Sequence, residues 1–269
     1  MNNERIKISV ITVCLNSEKL IEKTIQSVIN QKYSNIEYII IDGGSTDNTL
    51  NIIEKYNSHI NVLVSEKDDG IYYAMNKGIK LATGDLIYFL NCGDYLYNNS
   101  VFEAVAREYA EENLSDIIYG DIIYYEDHYS KYYFGPRNNI VEIIPRGINH
   151  QSMFTKKNVF EKCGCFDTEY KIFSDFDWLL RCIIQHKINI SKMNIPIAYY
   201  LMGGVSEKHI KKFMYEKYEI IAKYTGLNHL LRYSLSHPFL FSEYMMYIIS
   251  NRLSRHLKLI FQRPIKKEV

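Results

Sequence analysis

Four short apolar runs, at residues 6–13, 36–41, 61–64 and 86–90, alternate with stretches whose apolar residues recur at helical spacing. Leu20, Ile21, Ile25, Val28 and Ile29 follow the first run, and Leu50, Ile52, Ile53 and Tyr56 follow the second. A helical pattern over 71–81 precedes the fourth, with Ala82-Thr83-Gly84-Asp85 as the turn between them. Continuous apolar runs of this length suit strands buried on both faces, and a βαβαβαβ order demands a mostly parallel sheet with right-handed crossovers. The pattern changes further on. Short strands are expected at 117–119 and 122–125 around Gly120-Asp121, a hairpin tip at 126–128 and a strand at 131–134. Helices are expected over 156–163 and 176–185. No repeat or low-complexity linker interrupts the chain, so residues 1–225 read as one α/β domain and 226–269 as a helical, basic-aromatic tail.

The strand ends carry the chemistry. The second run ends in Asp42-Gly43-Gly44-Ser45-Thr46-Asp47 and the fourth in Asn91-Cys92-Gly93-Asp94; a further pair, Asp175 and Asp177, lies downstream. Open α/β sheets bind ligands beyond the carboxyl ends of their strands. Carboxylates gathered there suit a divalent cation, a ribose and a proton acceptor, which points to a nucleotide-dependent enzyme. Val13-Cys14-Leu15-Asn16-Ser17 stands where a dinucleotide fold needs Gly-x-Gly-x-x-Gly, and no P-loop motif is present. A diphosphate would therefore be held by a bound Mg²⁺ or Mn²⁺, which prefer oxygen ligands, and not by a glycine cradle.

Composition excludes other classes. A formal net charge of +1 argues against nucleic acid as the main partner. Cys14, Cys92, Cys163, Cys165 and Cys182 form an odd set without disulfide-framework spacing, which fits a reducing cytoplasm; Cys163-Gly164-Cys165 lacks the second ligand pair that structural zinc needs. Residues 1–5 lead directly into the first strand without the pattern of a signal peptide. The 24 tyrosines read mainly as half-buried packing, with some suited to polar sites.

Several stretches together resemble the inverting glycosyltransferases of family 2, which have the GT-A fold and build bacterial capsule, O-antigen and exopolysaccharide units. The resemblance covers about residues 6 to 206. It is carried by Ser9-Val10-Ile11-Thr12-Val13 with Asn16, by Ile41-Asp42-Gly43-Gly44-Ser45-Thr46-Asp47, by Ser65-Glu66-Lys67-Asp68-Asp69-Gly70-Ile71-Tyr72 and by Ala74-Met75-Asn76-Lys77-Gly78. Phe89-Leu90-Asn91-Cys92-Gly93-Asp94, His150-Gln151-Ser152, Asp175-Phe176-Asp177-Trp178-Leu179-Leu180-Arg181 and Gly203-Gly204-Val205-Ser206 complete it. One such element is weak; their joint order and spacing are specific.

The resemblance implies a nucleotide-sugar donor, a saccharide or lipid-linked saccharide acceptor, and a role for each matched residue. Thr12 and Asn16 would lie beside the base and ribose, Asp42 would accept a hydrogen bond from the base, Asp69 would meet the ribose or donor sugar, and Lys77 would support the phosphates. Asn91 belongs to the donor side of the acidic loop, Asp94 to the metal and Asp175 to the catalytic base. His150, Gln151, Asp177 and His209 are candidates for acceptor, phosphate or metal contact. This set matches the chemistry. Inverting transfer needs one base for the acceptor hydroxyl and positive charge on the departing diphosphate, through an oxocarbenium-like transition state. The chain departs from the family where many relatives carry two acidic residues: Asn91 and Gly93 stand there, so Asp94 alone carries charge.

Plainer readings stand beside these. Ser45, Asp47 and Asp175 could cap helices, Asp177 and Arg181 have the i,i+4 spacing of an ion pair, His150 could be a packed strand histidine and His209 a surface one. Two other classes compete. A nucleotidyltransferase would carry a Gly-rich basic loop after the first strand, where Asn16-Ser17-Glu18 stands, and a binding protein without transfer activity would not need both Asp94 and Asp175. Arg252, Arg255, Lys258, Arg263, Lys266 and Lys267 are interleaved with Leu253, Leu257, Leu259, Ile260 and Phe261. That mixture fits a helix lying on an anionic membrane surface, or a packed helix with a solvated basic tail.

Overall fold

In the computed structural model, residues 6–111, 115–126, 129–203 and 210–225 are described. Seven consecutive buried residues make β1 (Ile8–Cys14) the centre of the parallel half of the sheet. It lies between β2 (Ile36–Asp42) and β4 (Leu86–Phe89), parallel to both, and β3 (Val62–Ser65) adds outside β2. The register opposes Cys14 to Asp42 and Asp42 to Ser65, so three strand ends and their loops emerge side by side. Helices α1 (Ile21–Ile29), α2 (Thr49–Glu54) and α3 (Ile71–Leu81) supply the crossovers. Gly78 of α3 is required by contact: a Cβ there would sit 2.4 Å from Ile11 Cγ2, closer than side-chain atoms can approach.

Beyond β4 the sheet turns antiparallel. β8 (Met153–Lys156) runs against β4, and β6 (Ile117–Glu126) runs against β8. β6 then pairs in parallel with β9 (Ile190–Leu201), which carries β5 (Tyr95–Leu96) on its other side. β7 (Tyr129–Tyr133) folds back on β6 as a hairpin. Nine strands thus form one sheet among the described residues, eight in the order β3-β2-β1-β4-β8-β6-β9-β5 and β7 off that path beside β6. Tyr88, Phe102 and Phe154 lie at its middle, with Tyr88 and Phe154 stacked at 4.2 Å. The remaining helices are α4 (Val101–Glu111), α5 (Ile140–Arg146), α6 (Lys157–Cys163), α7 (Ser174–Leu180) and α8 (Ile210–Thr225).

Several boundaries differ from the sequence reading. Residues 117–126 form one strand whose register shifts at Gly120 and Asp121, because a Cβ on Gly120 would lie 2.6 Å from Ile195 O of β9. Asp121 there is structural: it accepts from Gly135 N–H and pairs with Lys192 at 3.0 Å. The helix expected over 176–185 starts at Ser174 and changes to a π-turn over Arg181–Gln185. Residues 190–201 hold Pro196 and lack strict alternation, yet they form the long strand β9.

The chain divides into two compact units, Met1–His209 and Ile210–Val269; the sheet belongs to the first and α8 to the second. No helix of the described residues is long and apolar enough to cross a membrane. The basic tail, with the rest of 226–269, and His209 lie outside the described residues.

Candidate active site

Backbone register builds the first wall. With Cys14 level with Asp42, the loops that follow β1 and β2 interlock. Asn16 takes a left-handed conformation (φ 47°), which asparagine tolerates better than most residues. Its side-chain oxygen accepts from Thr46 N–H at 2.9 Å, and its own N–H donates to Ser45 Oγ at 2.8 Å. Asn16 therefore clamps the two loops together at their exposed rim. Asp47 closes the same junction, accepting from Glu18 N–H at 3.1 Å and from Thr49 N–H at 3.0 Å.

Two residues expected beside the nucleotide are interior instead. Thr12 is fully buried and donates to Leu90 O at 2.8 Å, so its hydroxyl binds β1 to the chain beyond β4. Asp42 is also fully buried. Oδ2 accepts from Gly44 N–H, Ser45 N–H and Ser65 Oγ–H, and Oδ1 accepts from Ser45 Oγ–H and Cys14 Sγ. Burial, the largest influence, would raise its pKa, yet these hydrogen bonds hold it below the usual carboxylate value. Asp42 organises the loop and has no face turned to a ligand. Ser45, expected as a helix cap, gives its hydroxyl to Asp42; α2 starts only at Thr49.

Exposed Asp69 and half-buried Asp68 lie just before α3. Asp68 accepts from Gly70 N–H at 3.0 Å, and its carboxylate would lie 2.9 Å from a Cβ on Gly43, so it fills the space above that glycine. Lys77, expected at the phosphates, is paired with Glu66 at 2.8 Å.

The acidic loop is held from four sides. Gly93 adopts φ 101°, Asp94 N–H donates back to Asn91 O, and Thr24 of α1 bonds both Gly93 N–H and Asp94 O. Tyr125 OH donates to Gly93 O. Asp94 is buried: Leu201 N–H, at the end of β9, donates to Oδ1 at 2.9 Å and Gln151 Nε2 donates to Oδ2 at 2.9 Å. Burial pushes its carboxyl up to about 6, against the opposing pull of those two hydrogen bonds and of His150. Gln151 thus supports Asp94 and, being buried, does not face an acceptor.

Asp175 stands in the first turn of α7. Helix entry is made by Phe173, so Asp175 is not the cap. Its Oδ1 accepts from Phe176 N–H at 2.9 Å and lies 3.1 Å from the Tyr72 hydroxyl, whose single proton is shared with the nearer Ile172 O; Oδ2 lies 2.9 Å from His150 Nδ1. On its other side, His150 Nε2 lies 2.9 Å from Asn91 Nδ2. One chain of hydrogen bonds therefore joins the acidic loop to the residue expected to act as base. Asp177, two positions on, is fully buried and paired with Arg181 at 2.9 Å, while Arg181 also donates to Cys163 O and Cys165 O. Its role is to fix α7 on α6, so it is neither a surface ion pair nor a substrate contact.

Tyr72 and Leu201 are the site residues that sequence reasoning missed. Tyr72 stands inside a recognised motif, but only the packing of α3 beside α7 brings its hydroxyl to Asp175. Leu201 acts through its backbone, which leaves no signal in residue type.

A divalent cation fits the residues at this loop. Asn91 Oδ1 is buried and has no hydrogen-bond partner among the described residues, a costly state that a cation or a ligand donor would relieve. A carboxamide oxygen and the Asp94 carboxylate are the hard donors that Mg²⁺ and Mn²⁺ prefer. No group of three or more His, Cys, Asp or Glu side chains that could hold an ion occurs among the described residues. Such an ion would therefore complete its coordination with donor phosphates.

The chain is similar to known proteins. The profile of glycosyl transferase family 2 matches residues 9–173. A PGL/p-HBAD biosynthesis glycosyltransferase of Mycobacterium bovis is 29% identical over 209 residues, covering 76% of this chain and 80% of the relative. Among solved structures, residues 1–349 of TarS from S. aureus superpose with a TM-score of 0.65 at 21% identity, covering 82% of this chain and 66% of that one. The mannosyltransferase PcManGT from Pyrobaculum calidifontis, solved with GDP-Man and Mn²⁺, gives a TM-score of 0.67 at 14% identity, covering 97% and 82%. At these identities the two structures establish a shared fold. The profile match spans more than half of the 269 residues, and the chain is a glycosyltransferase that belongs to glycosyl transferase family 2.

Proposed function

We propose that the protein transfers a sugar, with inversion, from a nucleoside-diphosphate sugar to a hydroxyl of a saccharide or lipid-linked saccharide acceptor in cell-surface polysaccharide synthesis. The observation that carries this reading is Asp175. Among the described residues its Oδ2 meets His150 alone, so that oxygen keeps an acceptor position, on a side chain 18% exposed. A hydroxyl proton can be taken there. As the acceptor oxygen bonds to the anomeric carbon, its proton passes to Asp175 Oδ2. The bond from that carbon to the diphosphate oxygen breaks, and its electron pair leaves with the nucleoside diphosphate.

Asp94 and Asn91 would hold the divalent cation. When bound, it supplies positive charge to the departing diphosphate. Asn16 and Asp68 line the interlocked loops beside β1 and β2, where the base and ribose would rest. Donor chemistry is supported by TarS, solved with UDP and with UDP-GlcNAc, and by the mannosyltransferase solved with GDP-Man and Mn²⁺. A lipid-linked acceptor draws support from the relative named for PGL/p-HBAD biosynthesis and from the basic, apolar tail. On this reading the enzyme works in the cytoplasm, with the tail on the inner face of the membrane.

Thermal stabilisation by a panel of UDP-, GDP- and dTDP-sugars, with and without Mn²⁺, tests the reading. One donor class should raise the melting temperature, more so with Mn²⁺, and turnover of that donor should give a product of inverted anomeric configuration. Asp94→Ala should remove the Mn²⁺ response. Stabilisation by no nucleotide sugar, or a retained configuration in the product, would overturn the proposal.

A further inference from the structure

The geometry points to His150 as the positioning residue of the base: Asn91 holds its imidazole in a single tautomer, so that it fixes Asp175 Oδ2 and ties the base to the acidic loop. This inference rests on the reading of Asp175 as base. With Asn91 Oδ1 kept for the cation, Nδ2 is the atom 2.9 Å from His150 Nε2, and because an amide nitrogen only donates, Nε2 is the acceptor. A neutral imidazole then carries its proton on Nδ1, which lies 2.9 Å from Asp175 Oδ2. The opposite tautomer would set a lone pair of Nδ1 against the carboxylate. It would also turn an N–H of Nε2 toward the Asn91 amide N–H.

Position matters as much as protonation. His150 and Gln151 are neighbours in the short turn His150–Ser152, and each grips one end of the site: His150 holds Asp175, and Gln151 holds Asp94. The turn itself is pinned, since Tyr88 OH donates to Gln151 O at 2.8 Å and Ser152 Oγ donates to Asn149 O at 2.8 Å. One rigid dipeptide thus sets the separation between the base and the loop where the diphosphate would rest. Phe176 N–H holds Oδ1, so the remaining rotation of the carboxylate is decided by His150 at Oδ2. The side chains of His150 and Asp175 are only 14% and 18% exposed, which leaves water little room to replace the bond.

Two measurements on the full-length chain decide it. Nitrogen-15 NMR of labelled histidine at alkaline pH, with the His150 signals assigned by their loss in His150→Gln, should show a protonated Nδ1 and a bare Nε2. Asn91→Leu should abolish that preference. A protonated Nε2 in the unsubstituted protein would overturn the inference whatever the substrate.

The second measurement is turnover of the nucleotide sugar that stabilises the protein in the panel. His150→Gln should lower kcat on the order of 10²-fold, as misplaced groups do. The KM for the donor should stay within about twofold, because the donor is not bound by His150. His150→Asn should recover part of kcat, since its amide N–H reaches the place of Nδ1. Unchanged kcat in His150→Gln would overturn the inference. If no nucleotide sugar is turned over by the unsubstituted protein, the parent reading fails, while the NMR still decides the tautomer.

Discussion

Two aspartates that look alike in the sequence sit in opposite surroundings. Asp42 is fully buried with five donors on its carboxylate, whereas Asp175 keeps an acceptor position at a partly exposed oxygen. Asp42→Asn should therefore cost stability, about 3 kcal/mol, because an amide cannot accept from all those donors and turns its own N–H groups toward some of them. Denaturant unfolding measures this; a cost near zero would show that the loop does not need the carboxylate. Asp175→Asn should leave the unfolding midpoint and donor affinity nearly unchanged and lower turnover on the order of 10²–10⁴-fold. Titration of donor binding separates the outcomes, since a large loss of affinity would move Asp175 into the donor site.

The parallel strands are also stitched at their amino ends, opposite the site. Glu37, the second residue of β2, is buried and accepts from Ser9 of β1, from the N–H and hydroxyl of Thr83 ahead of β4, and from Lys7 Nζ. Burial alone would push its carboxyl up, but those hydrogen bonds outweigh it and hold the pKa down at about 2. A depressed carboxylate pKa means the unfolded chain binds more protons than the native one between about 4.5 and 2. The stabilisation is thus complete above pH 4.5 and disappears as pH falls through 2. Glu37→Gln should cost about 3 kcal/mol at neutral pH and progressively less on acidification through that window. Unfolding curves of both proteins from pH 7 to pH 2.5 would reveal a constant difference if the carboxylate were not the cause.

At the scale of the whole molecule, the membrane proposal rests on the basic, apolar tail. If the segment beyond Ser236 lies on a membrane, each basic residue should add about 1 kcal/mol of attraction to anionic lipid. That attraction weakens with salt, because the Debye length falls to ~3 Å at 1 M. The full-length protein should sediment with anionic liposomes at low salt and release at high salt, and truncation after Ser236 should abolish binding. Equal sedimentation by both forms would return the tail to a packing role. Donor turnover is expected to survive the truncation, since every site residue described here belongs to the first compact unit, Met1–His209.

Local pattern carried much of this. Continuous apolar runs identified β1, β2 and β4 because both faces of an inner parallel strand are buried, β3 was legible although alternate residues are exposed at the sheet edge, and helical spacing identified α1 and α3, with α3 expected over 71–81 and observed there. The residues that ended those strands marked where the chemistry lies, since residue type and position at a strand end are local facts. Direction was another matter. Whether Thr12 and Asp42 face ligand or core depends on which strands flank them, and the pairing of Cys14 with Asp42 and of Asp42 with Ser65 turns both inward. β9 was not legible, because Pro196 and the register shift opposite Gly120 break its alternation. The sequence by itself determined the strand-helix order as far as β4, the family and the loops expected to carry the chemistry. Only the tertiary structure decided which carboxylates are closed in by hydrogen bonds and which stay partly exposed. That choice is made by hydrogen bonds between residues as far apart as Tyr72 and Asp175, or Asp94 and Leu201, whose pairing no local pattern encodes.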